Sequence, residues 1–120
     1  MDIITDEITG MRTALFGAGS VNIETAQDAL DLITSAKFEA GCSGAVIHKS
    51  CFSDVFFDLS SGLAGEILQK FTNYRLRVAI VGGFGEYGSR SLKAFIAESN
   101  RHGELLFLDS EDEALEALRK

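Results

Sequence analysis

Gly83-Phe84-Gly85-Glu86-Tyr87-Gly88 is a literal G-x-G-x-x-G, and Asp109 stands a little over ~20 residues beyond it, close to the spacing of a dinucleotide fingerprint. The chemistry of that pattern is phosphate binding. Glycines let backbone N–H groups close on a pyrophosphate, and the later acid takes a ribose hydroxyl. The motif belongs on the first strand of a mononucleotide-binding half, however, and here a single strand–helix–strand unit follows it. A surface loop is the plainer reading of residues 82–89, with a small anionic ligand as the third.

A second set of polar residues could meet a ligand or a partner. Asn73, Tyr74 and Arg75 end one helix and lead into a strand, Glu86, Tyr87, Ser89 and Arg90 leave that strand, and Glu98, Asn100 and Arg101 close the next helix. Asn73, Arg75 and Asn100 are expected to share one end of a sheet, with Glu86 and Arg90 at the other. The structural alternative is an Asn in a last turn, packing by Tyr74, and Arg75 paired with Glu98 or a helix end. Ser60, Ser61 and Gly62 open a helix, where a hydroxyl can cap exposed N–H groups or accept a phosphoryl group. His48 and Cys51 lie three apart with neither a third metal ligand nor an orienting acid in view, so neither a metal site nor a Cys–His nucleophile is expected. The acids Asp109, Glu111, Asp112 and Glu113 read as a dipole-matched helix start. No catalytic set and no cofactor emerge from these residues.

The elements that must carry these groups follow from periodicity. Asp2 to Asp6 and Met11 to Phe16 read as strands broken at Gly10. Thr25 with Asp28 forms a capping box for a helix to about Phe38, whose apolar face is Ala26, Ala29, Leu30, Ile33 and Ala36. Ala45–His48 is a short buried strand, and Phe52 to Phe57 suits a helical turn or an extended run. Leu63, Ala64, Ile67, Leu68 and Phe71 set a helix over Ser61–Thr72. Leu76–Val81 is a central strand, Leu92, Phe95 and Ile96 mark a further helix ending near 100–103, and Leu105–Leu108 is the last strand. Ser110 with Glu113 starts a final helix, with Arg119 and Lys120 in its last turn. The order ββαβαβαβα predicts one α/β domain over 1–120: a mixed five-stranded sheet whose N-terminal hairpin is antiparallel and whose remaining strands are mainly parallel.

Composition narrows the partners. The chain has 120 residues and a formal net charge of −7, which disfavours a general grip on nucleic-acid phosphates or docking to an anionic membrane. No leader pattern and no apolar run of bilayer length is present, and two cysteines make a poor disulfide framework. A cytoplasmic chain with reduced thiols is expected. Of the adjacent Phe56 and Phe57, burial of both is expected, with an oligomer or partner patch as the alternative.

The run Phe56-Phe57-Asp58-Leu59-Ser60-Ser61-Gly62-Leu63-Ala64-Gly65-Glu66-Ile67-Leu68-Gln69-Lys70-Phe71, with Asn73-Tyr74-Arg75, Ser91-Leu92, Phe95-Ile96, Glu98-Ser99-Asn100-Arg101 and Gln27 to Leu32, resembles the bacterial domain-of-unknown-function family numbered 4180. The resemblance spans nearly the whole chain and implies no activity. The element order more distantly resembles STAS domains, the fold of anti-sigma factor antagonists. Those carry Asp-Ser-Ser-Gly-Leu where this chain has Leu59-Ser60-Ser61-Gly62-Leu63, and the second serine is phosphorylated by a partner kinase. Leu59 departs from that pattern. The resemblance implies a non-enzymatic bacterial regulatory or protein-interaction module, switched at Ser61, whose contact face joins the Ser60–Gly62 helix start to loop 82–89. A protein partner or a second copy is the partner it implies. The alternative is a small-anion or nucleotide-binding domain using loop 82–89.

Overall fold

The computed structural model describes Met1–Lys120. Its strands are β1 (Asp2–Thr5), β2 (Arg12–Phe16), β3 (Gly44–His48), β4 (Arg77–Val81) and β5 (Leu105–Leu108). They form one sheet in the order β1-β2-β3-β4-β5, with β1 antiparallel to β2 and the remaining pairs parallel. The expected mixed five-stranded α/β architecture is therefore present. The helices are α1 (Ala26–Ile33), α2 (Asp54–Phe57), α3 (Leu63–Asn73), α4 (Arg90–His102) and α5 (Glu111–Leu118).

Period-two alternation divides the strand side chains between two faces. Ala14, Phe16, Ala45, Ile47, Val78, Ile80, Leu105 and Phe107 share the larger core with α1, α3 and the aromatic segment around α2. Val46, Ala79, Val81 and Leu106 meet Ala114 and Leu118 of α5 on the other face. Central β3 and β4 are apolar on both faces because both are covered. Strand order follows chain order without reversal, so every βαβ crossover falls on one face and only α5 lies on the other.

Local chemistry explains the element ends. The Thr25 hydroxyl accepts the Asp28 N–H while the Asp28 carboxylate accepts the Thr25 and Glu24 N–H groups. Those bonds, the one from Glu24 foremost, hold the Asp28 pKa below the ordinary carboxylate value. Beyond Ile33 the helix continues as a π-helical turn over Thr34–Glu39, which brings the Lys37 ammonium onto the Tyr74 and Arg75 carbonyls at 2.7 and 3.1 Å. Phe52–Phe57 resolves into a helical turn at Asp54–Phe57.

Three details differ from expectation. Helix α3 begins at Leu63 rather than Ser61, because Gly62 takes a left-handed conformation and Leu59–Ser61 form a separate 3-10 turn. Helix α5 ends at Leu118, leaving Arg119 as its cap residue and no base in its last turn. Phe56 is fully buried, whereas Phe57 is half-buried.

Candidate functional site

The carboxyl ends of β3 and β4 lie side by side, His48 opposite Val81, so the segments that leave them meet. Lys49 follows β3 directly. Its ammonium donates to the Gly83 carbonyl at 2.8 Å and to Glu86 Oε1 at 2.6 Å, and lies 5.2 Å from the centre of the Tyr87 ring. The hydrogen bond between them lowers the Glu86 pKa and raises that of Lys49 from their ordinary values. Gly82, at φ +130°, accommodates this arrangement: a Cβ there would stand 2.9 Å from Lys49 Cγ.

The lysine therefore occupies the inside of the glycine-rich loop. Phe84 to Tyr87 close a turn through the Tyr87 N–H on the Phe84 carbonyl, and Cβ atoms at Gly85 or Gly88 would meet open space. Those two glycines answer no steric demand of the fold. None of the molecule's cavities is lined by a residue of 82–89. Ser89 caps α4 by accepting the Leu92 N–H, and Arg90 is exposed in the first turn of that helix.

Aromatic contact ties this loop to the Ser-Ser-Gly segment. Phe57 stacks on Tyr87 with ring centres 5.1 Å apart, and both touch Phe84. Phe52 and Phe56 continue the cluster inward to the core. Just beyond Phe57, Asp58 Oδ1 accepts the Ser60 hydroxyl at 2.6 Å and the Ser60 N–H at 3.2 Å. The Ser61 hydroxyl donates toward the carbonyls of Asp58 at 2.7 Å and Val55 at 2.9 Å, and accepts the Leu63 N–H. Ser60, Ser61 and Gly62 are all exposed.

The other polar residues lie apart from this site. Asn73 accepts from the Gln69 side chain within α3, and Tyr74 meets Phe38 edge-on at 6.2 Å. Arg75 does not pair with Glu98, which instead binds Arg101 and His102 at 2.8 and 3.0 Å. Asn100 stands near the end of α4, before β5. It faces β5, giving Nδ2 to the Phe107 carbonyl and taking the Phe107 N–H on Oδ1. The amino end of the sheet is where cations meet helix ends: Arg12 on the Ala40 carbonyl, Lys37 on Tyr74 and Arg75, Arg77 on Gly103.

Lys49 was missed by motif reasoning, although its place after a buried strand and beside the glycine loop was visible. His48 and Ser50 form a further pair, with His48 Nδ1 2.8 Å from Ser50 Oγ and also accepting the Ser50 N–H. This caps the turn at Lys49–Cys51. Cys42 and Cys51 are both free and buried, and burial raises the Cys42 thiol above its ordinary pKa.

A family model described as Domain of unknown function (DUF4180) matches residues 8–118. No curated protein matches the chain. No solved structure matches it.

Proposed function

The chain belongs to the family described as Domain of unknown function (DUF4180), and from that premise we propose a STAS-like bacterial regulatory module of the cytoplasm that acts by binding another protein. Its contact face is formed by segment 54–62 and loop 82–89. The observation that carries this reading is the Phe57–Tyr87 stack, which sets the segment bearing the exposed serines against the glycine-rich loop.

Ser61 is the switch in this proposal. A partner kinase would transfer the terminal phosphoryl group of a nucleoside triphosphate to Ser61 Oγ, with the hydroxyl proton passing to the kinase's base and the diphosphate leaving. The product has lost the donor that served Val55 and Asp58, and a dianion would stand against their two carbonyls. Segment 54–62 would release, and the Phe57–Tyr87 contact would pass that release to loop 82–89. The nearest alternative donors are the N–H groups in the first turn of α3. Phosphorylation would thus exchange one local hydrogen-bonding arrangement for another.

The test is phosphate mapping on chain isolated from its source cells, combined with partner capture by wild type, Ser61→Ala and Ser61→Asp proteins. Phosphate at Ser61, with a partner held by wild type and by Ser61→Ala but lost in Ser61→Asp, is the expected result. An unmodified Ser61 and a partner set indifferent to Ser61→Asp would overturn the switch.

A further inference from the structure

The two edges of the sheet are finished differently. On β5, Asn100 reaches from α4 and takes both the N–H and the C=O of Phe107, closing the middle of that edge. On β1, the outer backbone groups of Asp2–Thr5 meet no side chain, helix or loop. The strand has no proline, lysine or bulge to blunt this edge; its shortness and the acid Asp2 are the protections it carries.

The same region concentrates exposed apolar surface. Met1, Ile3, Ile4 and Ile8 are four of the seven large apolar side chains exposed on the molecule, so the patch is a local feature rather than scatter. Ile3 and Ile4 point to opposite faces of the sheet. On the α5 face, Ile4 opens onto a groove of about 360 Å³ whose lining includes Ile8, Met11, Thr13 and Leu115. Helix α5 packs over β3, β4 and β5 and reaches this part of the sheet only with Leu115 and Arg119.

Charge then selects the occupant. Asp2 precedes the two isoleucines, and Asp6 and Glu7 follow them. The one basic side chain of the groove, Arg119, is already divided between Asp6 at 3.5 Å and Glu116 at 3.1 Å. We propose that β1 receives an extended segment of a partner protein as a sixth strand, with two adjacent apolar residues at its centre and Lys or Arg at its flanks. The backbone groups of β1 give the ladder, Ile3 and Ile4 meet the central pair on either face, and the acids meet the flanking bases. This surface is separate from the Ser61 face, so the two readings stand or fall independently.

A synthetic strand peptide, Lys-Thr-Val-Ile-Thr-Lys, tests the assignment against the intact chain at millimolar concentration. Amide hydrogen exchange in β1 should slow by at least ~10-fold with this peptide and not with its Glu-flanked counterpart. The exposed double change Asp2→Lys, Glu7→Lys should reverse that preference, with folding checked by circular dichroism. No slowing, equal slowing by both peptides, or an unreversed preference would each overturn the proposal. So would a peptide-free dimer in which the β1 amides are already protected, since a second copy would then be the occupant.

Discussion

Lys49 gives the candidate site its physical character. Its ammonium is shielded by the loop, whereas the Glu86 carboxylate it binds is largely exposed. The pair is short and links two segments, yet solvent screens it, so its value lies in holding loop geometry rather than in bulk stability. The shifts fix the sign of its pH dependence. Glu86 is lowered on folding, so its contribution is present above the unfolded carboxylate pKa and is lost as pH falls through the folded value. Lys49 is raised, so its contribution is complete below the unfolded ammonium pKa and is lost as pH rises through the folded value. Between those limits the loop should be held. Lys49→Met should return the Glu86 carboxyl to its ordinary titration range and speed exchange at the amides of 82–87, both measurable by NMR. A Glu86 titration unchanged by the substitution would remove Lys49 as the loop's anchor.

At the scale of elements, helix ends show how far sequence carries and where it stops. Thr25 with Asp28, Ser110 with Glu113, and the apolar spacing of α1, α3 and α4 were legible because each is a local rule satisfied within one turn. The start of α3 was misplaced by two residues because Ser61 spends its hydroxyl on Val55 and Asp58, a choice made by the preceding chain. The Asn100 contact was not legible for the same reason: it answers a strand edge that exists only after folding. Helix α3 ends with the Leu76 N–H on the Phe71 carbonyl and the Arg75 N–H on Thr72, a Schellman pattern that puts Arg75 at φ +56°. Glycine holds the equivalent left-handed position after α4, at Gly103. A non-glycine residue there costs roughly 1–2 kcal/mol, and glycine returns about 0.5–1 kcal/mol of that as unfolded-chain entropy. The Arg75 side chain makes no ion pair whose loss would offset the gain. Arg75→Gly should therefore stabilise the fold by about 0.5–1 kcal/mol, read as a higher denaturant midpoint with an unchanged slope. A lower midpoint would show that the arginine has a structural contact of consequence.

At the scale of the whole molecule, strand order decides against the nucleotide reading more firmly than the loop does. Doubly wound sheets bind nucleotides where the order of strands reverses and two crossovers part on opposite faces. Here β2 to β5 run in chain order, the crossovers share one face, and no such crevice opens at the carboxyl ends. Element order made this legible in outline, but the glycine spacing pointed the other way, because a motif records the loop and not the neighbours that would complete it. The loop's interior is filled by Lys49, and its outer glycines face solvent. A nucleotide at a hundred times its dissociation constant would stabilise the chain by about 2.7 kcal/mol, on the order of 10 °C in Tm at this size. Thermal unfolding with mononucleotides, dinucleotides and inorganic phosphate should show no shift of that size. A rise that survives high salt and disappears in Gly83→Val would restore the glycine-rich loop as a binding site, because added salt screens a merely electrostatic association while a backbone cradle depends on the close approach that a side chain at Gly83 would block.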